Sequence, residues 1–392
     1  MGHPYNIATA ARVKSIFPIG GIAMEFSADT KSLAEALDQV QEAVERKSTI
    51  PILSHVLVEA CANGLRLGAT DLEVGIRTFC PAQVKVAGSA AVPARRLLEI
   101  VKSLPESDVR VRALENHWVQ VNAGRSVFKL AALAKDSFPA LPDVPKPLAE
   151  VPAVVLAGLI DRTAFAISNE ESRYTLNGAL LVLKPGGVEM VATDGHRLPL
   201  AARDIEIVGL KGEERLLVPK RAMTGLRRLA NAQQSDNPIH IAKDDSHLFF
   251  SAGDSILIAR ILAGQFPNFE AVLPKANTIT ATLDAAALRE SLRRVALLAS
   301  EQTHAVCLAL DSGRLTLTTS GGDTGEASES LDAAFTGTPL RVGFNASFLL
   351  DMLGVVKTGD VEIAFKDAES AAEFRPADQS TRFRYVVMPM RV

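Results

Sequence analysis

The spacing of apolar side chains changes several times along the chain, and the changes recur at a near-constant interval. Residues 57–71 alternate apolar and polar positions around Asn63-Gly64, which predicts a β-hairpin. The pattern returns in 181–194 and in 308–319, so that Thr70, Thr193 and Thr319 stand 123 and 126 residues apart. Helical spacing at i, i+3 and i+4 predicts an opening helix in each unit, over 29–44, 152–168 and 284–300. A second helix follows over 93–102, 219–230 and 345–355. A later hairpin over 119–130 reappears over 248–262, and the first two units close on Phe138-Pro139 and Phe266-Pro267. Each unit halves again into a helix followed by strands. The chain therefore reads as an α+β protein of three tandem repeats, each with two helices on antiparallel sheets. The 369 residues from Met24 onward are three times 123, which makes Met24 the natural start, and the repeats are set at 24–145, 146–274 and 275–392. Residues 1–23 are read as a disordered N-terminal extension. Three curved repeats must be capped or closed, and a head-to-tail pair of chains would close them into a ring.

Composition narrows the class. Of 392 residues, 47% are hydrophobic and 22% charged, which suits a globular chain with ample core. No apolar run reaches the roughly 18–20 residues of a membrane helix. Cys61, Cys80 and Cys307 are few, odd in number and far apart, so neither a disulfide framework nor a Cys-based zinc site is expected, and the cytoplasm is the default compartment. The net charge of −3 argues against a simple nucleic-acid binder. The basic residues nevertheless gather on helices: Arg95, Arg96 and Lys102; Lys220, Arg221, Arg227 and Arg228; Arg289, Arg293 and Arg294, with Arg46 and Lys47 after the first helix. Acidic residues fall more in strands and turns, the opening helix excepted. If the helices share one surface, it would hold phosphates without reading bases.

Thr193-Asp194-Gly195-His196-Arg197 is the strongest catalytic lure, since Asp194 and His196 could serve a hydrolase. No nucleophile elbow precedes them and no second His motif completes a metal shell. A tight turn ending a hairpin is the plainer reading, and a groove lined by His196 and Arg197 is a third. The chain ends on Met388-Pro389-Met390-Arg391-Val392, either a final edge strand packed in the core or an adaptable apolar patch for a peptide. No cofactor or metal is expected.

The chain from Met24 to Val392 resembles the bacterial sliding clamp, the beta subunit of DNA polymerase III. The resemblance rests on Thr49-Ile50-Pro51-Ile52-Leu53, Ala69-Thr70-Asp71-Leu72-Glu73, Val92-Pro93-Ala94-Arg95, Arg173-Tyr174 with Leu176-Asn177-Gly178, Val191 through Leu198, Phe266-Pro267, Gly343-Phe344-Asn345 and Tyr385 through Arg391, in order and spacing. It implies three clamp domains in a head-to-tail dimeric ring that encircles duplex DNA without sequence specificity. It also implies a processivity factor, not an enzyme, that tethers replicative and other polymerases and is opened by a clamp loader.

For the partner site, the resemblance implies a groove for Gln-Leu-x-Leu-Phe-like peptides at Leu176, Thr193, Gly195, His196, Arg197, Leu198, Pro267, Val272, Asn345, Phe348, Val386, Met388, Pro389, Met390 and Arg391. DNA contacts would come from Arg46, Lys47, Arg95, Arg96, Arg173, Tyr174, Lys220, Arg221, Arg227, Arg228, Arg289 and Arg293. The dimer edge would pair Arg125, Phe128 and Leu130 with Leu297, Leu298, Glu326 and Glu329. The chain departs from the family at Ala271, commonly Arg; at Phe348, commonly Tyr; at Thr175, often Tyr; and at Val392, where Leu is also common. Ala271 and Phe348 motivate an alternative, a clamp paralogue with altered partner or inhibitor binding.

Overall fold

The computed structural model describes residues 24–45, 49–105, 107–233, 237–322, 325–378 and 382–391. The expected extension over 1–23, and Arg46 and Lys47, lie outside the described residues. The described chain forms two compact units: 24–37, 49–67 and 79–138 make the first, and 38–45, 68–78 and 139–391 the second.

Among the described residues six α-helices answer the six predicted: α1 Thr30–Val40, α2 Ala94–Ser103, α3 Ala153–Thr163, α4 Lys220–Asn231, α5 Ala285–Val295 and α6 Ala346–Val355. Their starts are chemically marked. Pro93, Pro152 and Pro219 stand at the N-caps of α2, α3 and α4. Asp29, Asp284 and Asn345 instead accept a backbone N–H from Ser32, Ala287 and Ser347, at 2.8, 2.6 and 2.9 Å. The opening helices end earlier than their apolar spacing predicts. α1, α3 and α5 stop at Val40, Thr163 and Val295, all β-branched, and each tightens into a 3₁₀ turn: Gln41–Ala43, Ala164–Ala166 and Ala296–Leu298. Such a turn satisfies the last carbonyls, and in the first two it also buries an alanine, Ala43 and Ala166.

In the first unit, five antiparallel strands run in the order Gln83–Val86, Glu25–Asp29, Asp108–Ala113, Trp118–Ala123 and Ser126–Ala131. Asp108–Ala113 alternates strictly between exposed and buried residues, as a sheet with one wet face requires. Burial pushes the Cys80 thiol in this unit up to about 11. Cys80 and Cys307 are buried while Cys61 is partly open. A disulfide reagent at pH 8 is therefore expected to titrate Cys61 quickly and the other two only after denaturation, as absorbance of the released thiolate will report.

In the second unit, a nine-stranded antiparallel sheet joins the second repeat to the third. Gly178–Lys184 is buried at six of its seven positions, so it reads as one apolar run with both faces covered. The junction is the pairing of Arg197–Arg203 with Arg382–Val387, which sets Leu198 opposite Val386 and Pro199 opposite Tyr385. The last strand is therefore interior, with Ala372–Pro376 on its other side, and the edge-strand expectation is corrected. The burial of Tyr385, Val386 and Val387 accounts for the apolar chain end. α3 packs against α4 and α5 against α6.

Candidate functional site

The Thr193–Arg197 segment is a turn built from its own side chains. Thr193 Oγ1 donates to the Arg197 carbonyl at 2.7 Å and accepts from the Gly195 N–H at 3.0 Å. Asp194 Oδ1 accepts the N–H groups of His196 and Arg197 at 3.0 and 3.1 Å. Thr70 and Asp71 repeat this arrangement, with Thr70 Oγ1 donating to Val74 and accepting from Leu72, and Asp71 accepting from Glu73 and Val74. The third residue has positive φ in both turns, +91° at Gly195 and +76° at Leu72. A Cβ at 195 would also stand 2.8 Å from Arg173 Nη1, so a side chain there would displace that guanidinium, while Leu72 shows that the turn itself tolerates one. The carboxylate that looked like a catalytic base is a structural acceptor.

What the turn presents is Arg197. Its guanidinium lies against the Phe348 ring at 4.3 Å from the centroid. It pairs with Asp194 at 2.9 Å and Asp351 at 2.6 Å, and donates to the Phe165 carbonyl at 3.1 Å. Burial opposes its charge, but Tyr385, Asp351 and Asp194 outweigh that and hold it above the ordinary arginine range. Tyr385 is buried, which pushes its hydroxyl upward, and that hydroxyl donates to the Phe348 carbonyl at 2.8 Å. His196 lies near-parallel to Phe348, with centroids 6.4 Å apart. The C-terminal tail is stapled across this hub: Met388 N–H donates to the His196 carbonyl at 2.9 Å and Met390 N–H to the Gly343 carbonyl at 2.8 Å.

Beneath lies an apolar cluster that includes Leu180, Val182, Leu198, Phe269 and Val386, with Phe266 and Leu273 packed against it. Leu198 and Val386 thus belong to the buried cluster, and Leu176 is buried as well, so none of the three is surface. Pro267 and Val272 are exposed beside the short turn Phe269–Ala271. Asn345 spends its Oδ1 on capping α6, while Met388 is 48% exposed. Arg391 is exposed and Pro389 and Met390 are half-buried. Phe165 and Asp351 were not foreseen. No local pattern signals them, because Asp351 lies 154 residues from Arg197 in sequence.

The basic residues are less free than their sequence suggests. Arg95 and Arg96 share Glu99, at 2.8 and 3.0 Å. Arg221 pairs with Asp71 at 2.8 Å, Arg227 with Asp161, and Arg228 with Asp38 and Glu42 at 3.1 and 2.9 Å. Arg289 and Arg293 both reach Glu290, and Arg294 reaches Glu329 at 2.5 Å. The expected bias of acidic residues toward strands and turns, the opening helix excepted, fits Asp71 and Glu329, but Glu99, Asp161 and Glu290 depart from it on α2, α3 and α5. Arg173 donates to the Asp194 carbonyl at 3.2 Å and pairs with Glu170 at 2.9 Å. Lys220 Nζ donates to Ile167 O and Asn169 Oδ1 at 3.1 and 2.5 Å, and burial lowers its pKa. Tyr174 is exposed.

The residues expected at the dimer edge fall on two terminal strands. Ser126–Ala131, carrying Phe128 and Leu130 after Arg125, ends the five-stranded sheet. Glu326–Asp332 ends a four-stranded sheet, near Leu297, which is 81% exposed, and Leu298. Glu329 on that edge is already held by Arg294 and by Ser291 at 2.7 Å.

Three tandem repeats of helices on antiparallel sheets, the second and third joined in one nine-stranded sheet, give the architecture of a clamp-type protein. The chain belongs to the DNA polymerase III beta subunit family, a family of processivity factors and not of enzymes: the models of its N-terminal, central and C-terminal domains match residues 24–142, 150–268 and 270–391. The beta sliding clamp of Pseudomonas aeruginosa is 35% identical over 374 residues, covering 94% of this chain and 100% of that protein. That of Caulobacter vibrioides is 35% identical over 379 residues, with the same coverage of both chains. A crystal structure of the P. aeruginosa clamp bound to griselimycin superposes with a TM-score of 0.88 at 35% identity, covering 95% of this chain and 100% of that one.

Proposed function

We propose that this chain is a DNA sliding clamp that closes head to tail with a second copy around duplex DNA in the cytoplasm. A clamp loader opens the ring, and polymerases dock through Gln-Leu-x-Leu-Phe-like peptides. The observation that carries the reading is the meeting, where the second and third repeats join, of His196 with Phe348 and of the tail with the His196 and Gly343 carbonyls, close in sequence to Leu198 and Val386 of one apolar cluster. A leucine and a phenylalanine of the peptide would cover that cluster, and the polar rim would set their direction. The exposed ion pairs of the helices suit a loose hold on DNA. Each is worth about 0–1 kcal/mol, so a guanidinium can exchange a carboxylate for a phosphate and back at little cost. The terminal strand Ser126–Ala131, with Arg125, and the one carrying Glu326 are chemically complementary, as head-to-tail pairing needs.

The test is binding of a labelled Gln-Leu-Ser-Leu-Phe peptide, read by fluorescence anisotropy. Met390→Ala is expected to weaken it about tenfold, or about 1.4 kcal/mol. Ala271 is exposed at the groove rim, so Ala271→Arg is expected to tighten binding severalfold by adding a planar donor. Absence of binding by the unaltered chain, restored by Ala271→Arg, would favour the specialised paralogue. Absence of binding by every variant would remove the groove as a tether.

A further inference from the structure

A cavity of about 360 Å³ lies where the strands Gly178–Lys184, Arg197–Arg203, Ala372–Pro376 and Arg382–Val387 meet the short turn Phe269–Ala271. None of the residues assigned to the peptide groove lines it. Small-ligand sites run from about 300 to 1,000 Å³, so it is large enough to hold one. Lys184, Arg375, Arg382 and Arg384 line it. Among the described residues its wall holds two carboxylates, Glu189 and Glu270. Leu200, Phe269 and Leu273 form an apolar side, continuous with the cluster of Leu198 and Val386.

Strand register gathers the cations. Arg384 stands opposite Leu200. Phe374 pairs with Tyr385, and the next residues along those two strands are Arg375 and Arg384. Like charges so placed repel, and each needs a brace. Arg384 is braced by the buried Glu373, with Nη2 on Oε2 at 3.0 Å and Nε on Oε1, and that carboxylate holds it above the ordinary arginine range. Arg375 puts Nε on Glu362 Oε1 at 3.0 Å and Nη2 on the same oxygen. Both bracing carboxylates are outside the cavity wall. A guanidinium has five N–H donors in a fork, so an edge committed through Nε and Nη2 leaves the Nη1 end to give. Arg384 Nη2 spends one further donor on the Pro274 carbonyl, at 3.5 Å. Donors already held in place lose little freedom when a ligand arrives. The remaining charges pair as Lys184 with Glu189 at 3.0 Å, Arg382 with Asp204, and Glu270 with Arg215 at 3.3 Å. Five cations thus meet five carboxylates, a balance that suits a singly charged head better than a doubly charged one. We propose that this cavity binds a carboxylate on an apolar stem, its head on Arg375 and Arg384 and its stem along Leu200 and Leu273. Guanidinium ends match carboxylate oxygens two at a time. The carboxylate could belong to a free organic acid or to an acidic residue of a peptide. The inference does not depend on the peptide groove.

The experiment titrates hexanoate into the full chain by isothermal calorimetry, with hexanol as the uncharged probe. Saturable binding of hexanoate and none of hexanol is expected. Arg375→Gln should weaken hexanoate at least about tenfold, since it removes charge-assisted hydrogen bonds. Arg375→Lys keeps a cation beside Glu362 but lacks the fork, so it should recover little. Arg375 and Glu362 both reach solvent, so both variants should fold, and thermal denaturation checks this. A second arm titrates a capped Leu-Glu-Leu peptide. Peptide binding that Arg375→Gln weakens assigns the carboxylate to a peptide. Hexanoate binding that Arg375→Gln weakens, without such peptide binding, assigns it to a free acid. Hexanol bound as tightly as hexanoate, or no binding of either carboxylate that depends on Arg375, would overturn the proposal.

Discussion

Truncation after Val387 is expected to abolish binding of a Gln-Leu-Ser-Leu-Phe peptide, a loss of at least about 100-fold, or about 2.7 kcal/mol. The tail is held by two backbone hydrogen bonds, Met388 to His196 at 2.9 Å and Met390 to Gly343 at 2.8 Å. Removing it takes away the half-exposed Met388 and the half-buried Met390, the two methionines proposed to border the peptide. Leu198 and Val386 would then offer an open floor, on which two apolar anchors stay partly wet. The fold should survive, because Arg382–Val387 keeps its partners on both sides. Anisotropy measures the affinity and thermal denaturation checks the fold. A truncated chain that binds within threefold of the intact one would place the peptide elsewhere.

Arg197→Ala is expected to destabilise the second unit by about 3–5 kcal/mol, the cost of removing one partner from a buried ion pair. Arg197 is 10% exposed in its side chain and Asp194 19%, so the abandoned carboxylate stays largely out of water. Asp351, at 45%, can turn to solvent and contributes less. The contacts to Phe348 and the Phe165 carbonyl go as well. Arg197→Lys should recover only part, because an ammonium cannot serve Asp194, Asp351 and the ring together. Urea midpoints at constant m-value will measure both. Asp194→Asn with Arg197→Ala should fall short of the sum of the single changes, as coupled neighbours do. A loss below about 1 kcal/mol for Arg197→Ala would mean that the hub is incidental to the junction.

Much of the fold was legible because its signals are local. Asn63-Gly64 and Gly186-Gly187 mark turns between strands that alternate or run apolar, and the helices carry their own start signals at Pro93, Pro152, Pro219 and Asp284. The 3₁₀ endings were not legible. Ala164–Ala166 continues the helical spacing of α3, and only the backbone shows where the hydrogen-bond step shortens. The turn at Thr193 through Arg197 and the chain end that bonds to it were marked together by a family pattern. What supports it was not, since Phe165 and Asp351 belong to no motif and reach Arg197 only through folding.

By itself the sequence determined the threefold repeat, the helices and hairpins within each unit, and the residues of the Thr193–Arg197 turn, because each follows from contacts within a few positions along the chain. Tertiary structure alone decided that Arg197–Arg203 pairs with Arg382–Val387, that the chain end is an interior strand, that the helix arginines meet carboxylates, and that Arg375 shares a cavity with Arg384. Strand order and charge pairing depend on which surfaces meet, and hydrophobic periodicity states only that a face is buried, not against what.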